Sequence, residues 1–176
     1  MSMKRRFVLL IVSTFLAASL KTPAAKAGAD TIPGETTVAG YSVEKTGHTL
    51  LRDERTGYYL IRTVECDGAH IHLALCADLR SHADRGFSEA DIRPGRLRHL
   101  QTGRGIRIGD TPARVRGILG RPTWQGVSKH TPGETVWTYH HLKGTQQNGV
   151  KYVTLFRFRK GRVSGVELSR DLLPGC

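Results

Sequence analysis

Two histidines in the N-terminal half have the spacing of a metal half-site. Residues 69–76 alternate apolar side chains with others, a pattern typical of a β-strand, and His70 and His72 share one face of it. Their side chains are then about 7 Å apart, so a third ligand could complete a site for an ion such as Zn²⁺. The residues that could supply it are Asp67, Asp78, His82, His140 and His141. The solvated face of an amphipathic strand explains the same pattern, and on this interpretation we expect neither a metal nor a cofactor.

The sequence contains no motif of an established catalytic class. G-x-S-x-G, H-E-x-x-H, the phosphate-binding P-loop and the dinucleotide fingerprint are all missing. No histidine or other base stands beside Cys176, as a nucleophilic thiol would require. We therefore expect a protein without enzymatic activity.

The N-terminal segment has the three parts of a secretory signal peptide. Lys4, Arg5 and Arg6 precede an uncharged, mostly apolar run over residues 7–20, and a stretch of small residues follows. The run is shorter than the ~20 residues that a bilayer-spanning helix needs. We expect residues 1–29 to be removed. The mature protein is then periplasmic or secreted and has no transmembrane segment.

The charge of the chain limits its partners. The formal net charge is +12, but five of the 27 Lys and Arg residues precede residue 30, which leaves 22 against 15 acidic residues, or +7. Outside the cytoplasm a basic surface meets acidic proteins, polysaccharide or anionic lipid more often than nucleic acid. We expect the partner to be an envelope protein or an anionic lipid surface, and we expect no nucleic acid.

The three cysteines, Cys66, Cys76 and Cys176, are disulfide candidates. An oxidising compartment favours one disulfide and one remaining thiol. Cys66 and Cys76 would close a short loop, but an Asp67–Gly68 turn predicts a hairpin in which Cys76 lies opposite Tyr59. At about 3.3 Å per residue the two cysteines are then far beyond disulfide reach. Either the hairpin is tight or Cys66 pairs with Cys76, and the pairing stays open.

One tryptophan and several arginines form the candidate contact surface. Trp124 lies between Pro122 and Gly126, and we expect it to be exposed, whereas we expect Trp137 to pack in the core. The basic residues assigned to this surface are Arg93, Arg96, Arg98, Arg104 and Arg107. They could bind anions as a strip or be scattered over a solvated surface.

A short helix is predicted after residue 110. Thr111 and Pro112 have the types preferred at an N-cap and a first helical position, and Gly120 suits a C-terminal cap. The apolar face between them consists of Val115, Ile118 and Leu119. So short a helix needs a surface to pack on.

Three strands are predicted to supply that surface, over residues 134–142, 151–159 and 162–170. A tight turn at Lys160–Gly161 would set Phe158 opposite Val163 and Leu155 opposite Val166. The polar residues 143–150 are expected to form a mobile loop.

The predicted fold class is therefore α+β, a short helix packed on a three-stranded antiparallel sheet, preceded by a β-hairpin-containing N-terminal extension. After the signal peptide we expect a flexible lead-in over residues 30–40 and a β-rich extension that reaches residue 104. Its last part, from residue 78, should be a basic loop with one helical turn. The α+β domain would occupy residues 105–176.

Several short pieces in this C-terminal half resemble a known family. Residues 105–122 have the sequence GIRIGDTPARVRGILGRP, and Trp137-Thr-Tyr139, Phe156-Arg-Phe158, Lys160-Gly-Arg-Val163 and Val166 follow in order. In this order they resemble the SmpA/OmlA (BamE-like) domain and the wider β-lactamase-inhibitor-protein-like fold, over about residues 105–169. The resemblance implies a helix-on-sheet domain that acts by protein–protein contact in the bacterial envelope, without catalysis. Unlike the assembly lipoproteins of that family, this chain has no cysteine after its signal segment.

These observations predict an exported, non-enzymatic envelope protein that acts through protein–protein or anionic-surface binding. One alternative is a secreted inhibitor or binding module of an external enzyme, which would use the open face of the sheet. A second is a small metal- or thiol-dependent enzyme built around His70, His72 and either Cys66 or Cys76. Three convergent ligands within metal distance would favour this second alternative.

Overall fold

The computed structural model describes residues 34–79, 82, 89–129 and 131–174. The predicted signal peptide over residues 1–29 and the disulfide candidate Cys176 lie outside the described residues.

Within the described ranges the chain forms ten strands and one α-helix. The elements are β1 (Thr37–Val38), β2 (Tyr41–Ser42), β3 (Thr49–Asp53), β4 (Tyr59–Glu65), β5 (His70–Cys76), β6 (Arg93–Gly95), α1 (Pro112–Leu119), β7 (Trp124–Val127), β8 (Glu134–Gly144), β9 (Gly149–Arg159) and β10 (Arg162–Leu172). In this part of the chain no helix has the length and hydropathy needed to cross a bilayer.

Eight of the strands form one sheet, in the order β6-β3-β4-β5-β10-β9-β8-β7. All neighbours are antiparallel except β3 and β6, and β1 pairs with β2 in a separate two-stranded sheet. The predicted fold class, a short helix on a three-stranded sheet behind a hairpin extension, is therefore wrong. The three predicted strands are present as β8, β9 and β10, but β10 continues the sheet because its residues 165–171 pair with the whole of β5. This pairing joins segments far apart in sequence, and strand patterns taken one at a time do not reveal it.

The hairpin of β4 and β5 has the predicted register. Tyr59 lies opposite Cys76, and Glu65 lies opposite His70. The turn between them is tight because its central residues Asp67 and Gly68 adopt positive φ angles of 51° and 93°, and the Ala69 N–H donates to the Cys66 carbonyl at 3.0 Å. Left-handed residues of this kind give a turn the twist that a two-residue hairpin needs.

The hairpin of β9 and β10 departs from prediction at one residue. Phe158 lies opposite Val163 as predicted, but Val166 lies opposite Phe156 and not Leu155, because the register shifts between Val163 and Gly165. The extra residue of this β-bulge is Ser164. It brings Val163, Val166 and Leu168 to one face of the sheet and turns Glu167 to the other. The connection between β8 and β9 is also shorter than the predicted loop, since it spans residues 145–148.

The face of the sheet that carries Leu73, Phe156 and Leu168, here called the core face, holds the main hydrophobic core. Residues of β1 and β2, the segment 97–108 and α1 cover it. Val38 is fully buried there, although it belongs to the predicted lead-in, and Trp137 is buried as predicted.

Helix α1 begins and ends where the sequence predicts. Thr111 accepts a hydrogen bond from the Arg114 N–H at 3.3 Å, and Gly120 ends the helix with a φ of 80°. Val115 is fully buried, and burial of a side chain of this size contributes about 1.5–3 kcal/mol. The apolar face of α1 is thus what fixes it on the core.

The opposite side of the sheet, here called the outer face, is covered in part by residues that follow β5. Leu79 packs against Ile61, Ala74 and Cys76, and His82 is buried. Farther along the chain, Glu89–Asp91 form a 3₁₀ turn before β6.

Candidate functional site

The outer face carries a group of charged and imidazole side chains, here called the polar cluster. Its members are His72, His82, Glu134, Arg157 and Glu167. Four of them come from the adjacent strands β5, β10, β9 and β8, and His82 follows β5 in the chain. The Ser164 bulge is what places Glu167 on this face, because it shifts the register of β10 by one residue.

Arg157 is the centre of the polar cluster. Its Nε lies 2.6 Å from Glu167 Oε1, and its Nη1 lies 3.0 Å from Glu134 Oε2. The three side chains are 13%, 15% and 8% exposed, respectively. Burial alone would lower the pKa of Arg157, but the charge of Glu167 and the hydrogen bonds to both carboxylates raise it above its ordinary value. One guanidinium therefore holds two largely buried carboxylates.

Both imidazoles of the polar cluster face Glu167. His72 Nε2 lies 3.4 Å from Glu167 Oε2, and His82 Nε2 lies 3.9 Å from Glu167 Oε1. The ring centroids are 5.6 Å apart with a 53° angle between the planes. One ligand atom from each of the three residues lies within 4.8 Å of the other two. This is a two-histidine, one-carboxylate arrangement with the spacing of a metal site.

Glu167 is held in its charged form. Burial would raise the pKa of its carboxyl group, but the hydrogen bond from His72 and the nearby charges of Arg157 and His82 lower it to about 2. A carboxylate that stays ionised throughout the physiological range can hold a cation.

The predicted half-site of His70 and His72 does not come together. Both lie on the outer face, but His70 pairs with Asp171 while His72 faces Glu167. His72 is buried, so its interpretation as part of a solvated strand face is wrong. Among the proposed third ligands the polar cluster contains His82. Glu167 was missed, since only the pairing of β5 with β10 brings it near His72.

The structure gives the bonding state of two cysteines, Cys66 and Cys76, and the reactivity of the second. Cys66 is disulfide-bonded and Cys76 is free, which excludes a Cys66–Cys76 bond. Burial, and next the charge of Glu167, raise the pKa of the Cys76 thiol to about 12. Because the thiolate is the reactive form, Cys76 is a poor nucleophile at neutral pH.

A cleft of about 450 Å³ borders the polar cluster. Glu134 and Arg157 line it together with Cys76 and Ser164. It gives small solutes a route to the guanidinium end of the cluster.

The second notable feature is the sheet edge formed by β7, which lies last in the strand order and pairs with β8. Trp124 is 52% exposed, as its predicted position outside the core requires, and Val127 is 72% exposed. The indole of Trp124 lies over Gly126, where a Cβ atom would be 2.5 Å from the ring. Glycine at this position lets the ring lie along its own strand.

The sequence around β7 is strongly basic. Residues 111–133 include the basic residues Arg114, Arg121 and Lys129 but no acidic residue. Arg116 belongs to the same stretch, but its guanidinium stacks on Trp137 at 4.9 Å and supports the core.

The five arginines assigned to the contact surface are all exposed. Arg93 lies in β6, at the opposite end of the strand order from β7, and Arg96 and Arg98 follow it. Arg104 and Arg107 lie in the segment before α1. The strand order thus separates Arg93 from Trp124 by the width of the sheet.

Comparison of this chain with protein-family models, curated proteins and solved structures finds no match.

Proposed function

We propose that this chain is an exported, non-enzymatic protein that binds an extended, acidic segment of an envelope protein along β7. The observation that carries the proposal is the exposed pair Trp124 and Val127 on the last strand of the sheet. The absence of a catalytic motif and the high pKa of Cys76 agree with a binding role.

The backbone of β7 can accept an additional strand. Ser128 N–H donates to the Glu134 carbonyl at 2.8 Å, and the groups of an antiparallel strand point alternately toward and away from its partner. Gly126 therefore bonds toward β8, and Gln125 and Val127 direct their N–H and C=O groups away from it. Outward groups of this kind bind extended peptides in many recognition domains.

Side chains and charge define the chemistry of the partner. Trp124 and Val127 lie on opposite faces of β7, so an added strand would contact an apolar side chain on each face. Buried tryptophans are frequent hot spots of protein interfaces. Since the surrounding stretch has basic residues and no acidic ones, an acidic segment is the complementary partner.

The family resemblance supports the same proposal. The helix, the Trp-x-Tyr strand and the final hairpin that carry it correspond to α1, β8 and the β9–β10 pair. Proteins of the SmpA/OmlA type act by protein contact in the bacterial envelope, and β7 lies between the first two of these pieces.

A capture experiment from envelope extracts tests the proposal with two variants of one residue. Val127→Pro removes an outward N–H without removing a bond to β8, whereas Val127→Thr keeps the N–H. We expect the captured protein to be identified by mass spectrometry, to bind the Thr variant, and to be lost with the Pro variant. Trp124→Ala should weaken binding by at least ~2 kcal/mol, about 30-fold.

The control is the fold of each variant, measured by circular dichroism. Binding of the captured protein to Val127→Pro at wild-type affinity would overturn the proposal. So would binding to vesicles of anionic lipid at physiological salt with no protein partner. Capture of an external enzyme whose activity the chain blocks would favour the inhibitor alternative.

A further inference from the structure

We infer that His72, His82 and Glu167 form a binding site for one divalent transition-metal ion of the zinc class, which fastens His82 to the sheet. The inference uses none of the residues of the β7 edge and is independent of the proposed function.

The distance between His72 and Glu167 fits a tetrahedral ion. Zn²⁺ bonds of 2.0–2.1 Å in tetrahedral geometry place two ligand atoms about 3.3 Å apart. His72 Nε2 and Glu167 Oε2 are 3.4 Å apart, and His82 Nε2 is 3.9 Å from the other oxygen of Glu167. The three ligand atoms lie within 4.8 Å of one another, so His82 would have to move closer to complete the coordination.

The negative charge of the polar cluster also favours binding of a cation. Glu134 and Glu167 share one guanidinium, that of Arg157, so two carboxylates face one positive charge. An uncompensated buried charge is costly, and either protonation of an imidazole or a bound cation would balance the second carboxylate. A divalent ion at the two imidazoles and Glu167 would supply the missing positive charge.

Glu167, one of the three ligands, has a partner of the kind that forms the outer shell of a metal site. Arg157 binds Glu167 Oε1 and fixes the carboxylate, which leaves Oε2 directed toward His72. Hydrogen bonds of this kind orient the ligands in metalloproteins. His72 Nδ1 is buried and has no hydrogen-bond partner among the described groups, where only Glu167 forms a hydrogen bond with the ring. Coordination at Nε2 would fix it.

The position of the ligands in the fold gives the ion a structural role. His72 and Glu167 lie on the adjacent strands β5 and β10, while His82 lies outside the strands and follows β5 in the chain. An ion bound by all three would tie His82 to the centre of the sheet. Binding energy of this kind adds directly to the free energy of unfolding.

Titration of the EDTA-treated and dialysed full chain with Zn²⁺, followed by calorimetry, tests the inference. We expect one Zn²⁺ per chain. His82→Gln should weaken binding by more than the ~10- to 100-fold that loss of an outer-shell partner costs. His70→Gln is the matched control, because His70 lies on the same strand and face but pairs with Asp171, and it should bind as the wild type does.

A Co²⁺ spectrum of His82→Cys keeps the test decisive if His82→Gln folds poorly. A thiolate at position 82 that ligates Co²⁺ produces a near-ultraviolet sulfur-to-cobalt band, and the wild type lacks it. We expect this band at one equivalent of Co²⁺. Absence of the band, absence of stoichiometric Zn²⁺ binding, or equal loss of affinity in His70→Gln would each overturn the inference.

Discussion

Arg157 is the cation on which the polar cluster depends, and Arg157→Met should destabilise the fold strongly. The substitution keeps a long apolar side chain but leaves Glu134 and Glu167, which are 8% and 15% exposed, without a guanidinium. Removal of one partner from a buried ion pair costs about 3–5 kcal/mol, and because these groups keep slight solvent contact we expect about 3 kcal/mol. With a urea m-value of about 2 kcal/mol/M, the midpoint should fall by about 1.5 M.

The assay is urea unfolding at neutral pH in the presence of EDTA, so that a bound ion does not contribute. Arg159→Met is the control, since Arg159 lies two residues farther on the same strand and face but is exposed. Its effect should stay within about 0.5 kcal/mol. The two variants therefore separate the buried ion pairs from a general loss of positive charge.

A triple variant tests the reasoning behind that magnitude. Adding Glu134→Gln and Glu167→Gln to Arg157→Met removes the uncompensated charges, so it should recover part of the lost stability. The explanation is refuted if Arg157→Met costs less than about 1 kcal/mol, well below the range for a broken buried pair. It is also refuted if the triple variant is no more stable than the single one.

Three further predictions concern other parts of the fold. At pH 8 without reductant, Cys76 should react with iodoacetamide about a thousandfold more slowly in the folded than in the unfolded chain. The reason is that burial raises the pKa of its thiol from 9.0 to about 12. Equal rates measured by mass spectrometry would contradict this prediction. The hydrogen bond from Thr56 lowers the pKa of Asp53, so Asp53→Asn should cost about 1–3 kcal/mol at neutral pH, and this difference should shrink as the pH falls below 3.8. This role of Asp53 would be excluded if urea titrations showed the same stability difference at low pH. It would also be excluded if the exposed Glu54→Gln had an equal effect. Thr111→Ala removes the N-cap of α1 and should cost about 1 kcal/mol in the same assay; an unchanged urea midpoint would show that the cap contributes nothing.

Local structure was predictable from the sequence where neighbouring residues determine it. The start of α1 is determined by the side chain of Thr111 and the restricted backbone of Pro112. Its end is determined by the backbone preference of Gly120. The register of the β4–β5 hairpin followed from its Asp67–Gly68 turn. In both places the decisive interactions join residues a few positions apart.

The architecture of the sheet was not predictable in the same way. The pairing of β5 with β10 depends on which strand edges remain free after the two hairpins form, and no single strand encodes it. The polar cluster depends on that pairing, so Glu167 could not be connected with His72. His82 was a candidate ligand by residue type alone, and no local pattern predicts its burial.

The bulge at Ser164 determines on which face of the sheet each later side chain of β10 lies. Ser164 has no paired residue on β9. If it were removed, each later side chain of β10 would change to the other face of the sheet. A deletion of one residue here would turn Val166 and Leu168 away from the core and direct Glu167 into it. A change in the length of this strand should therefore be tolerated less well than a substitution within it.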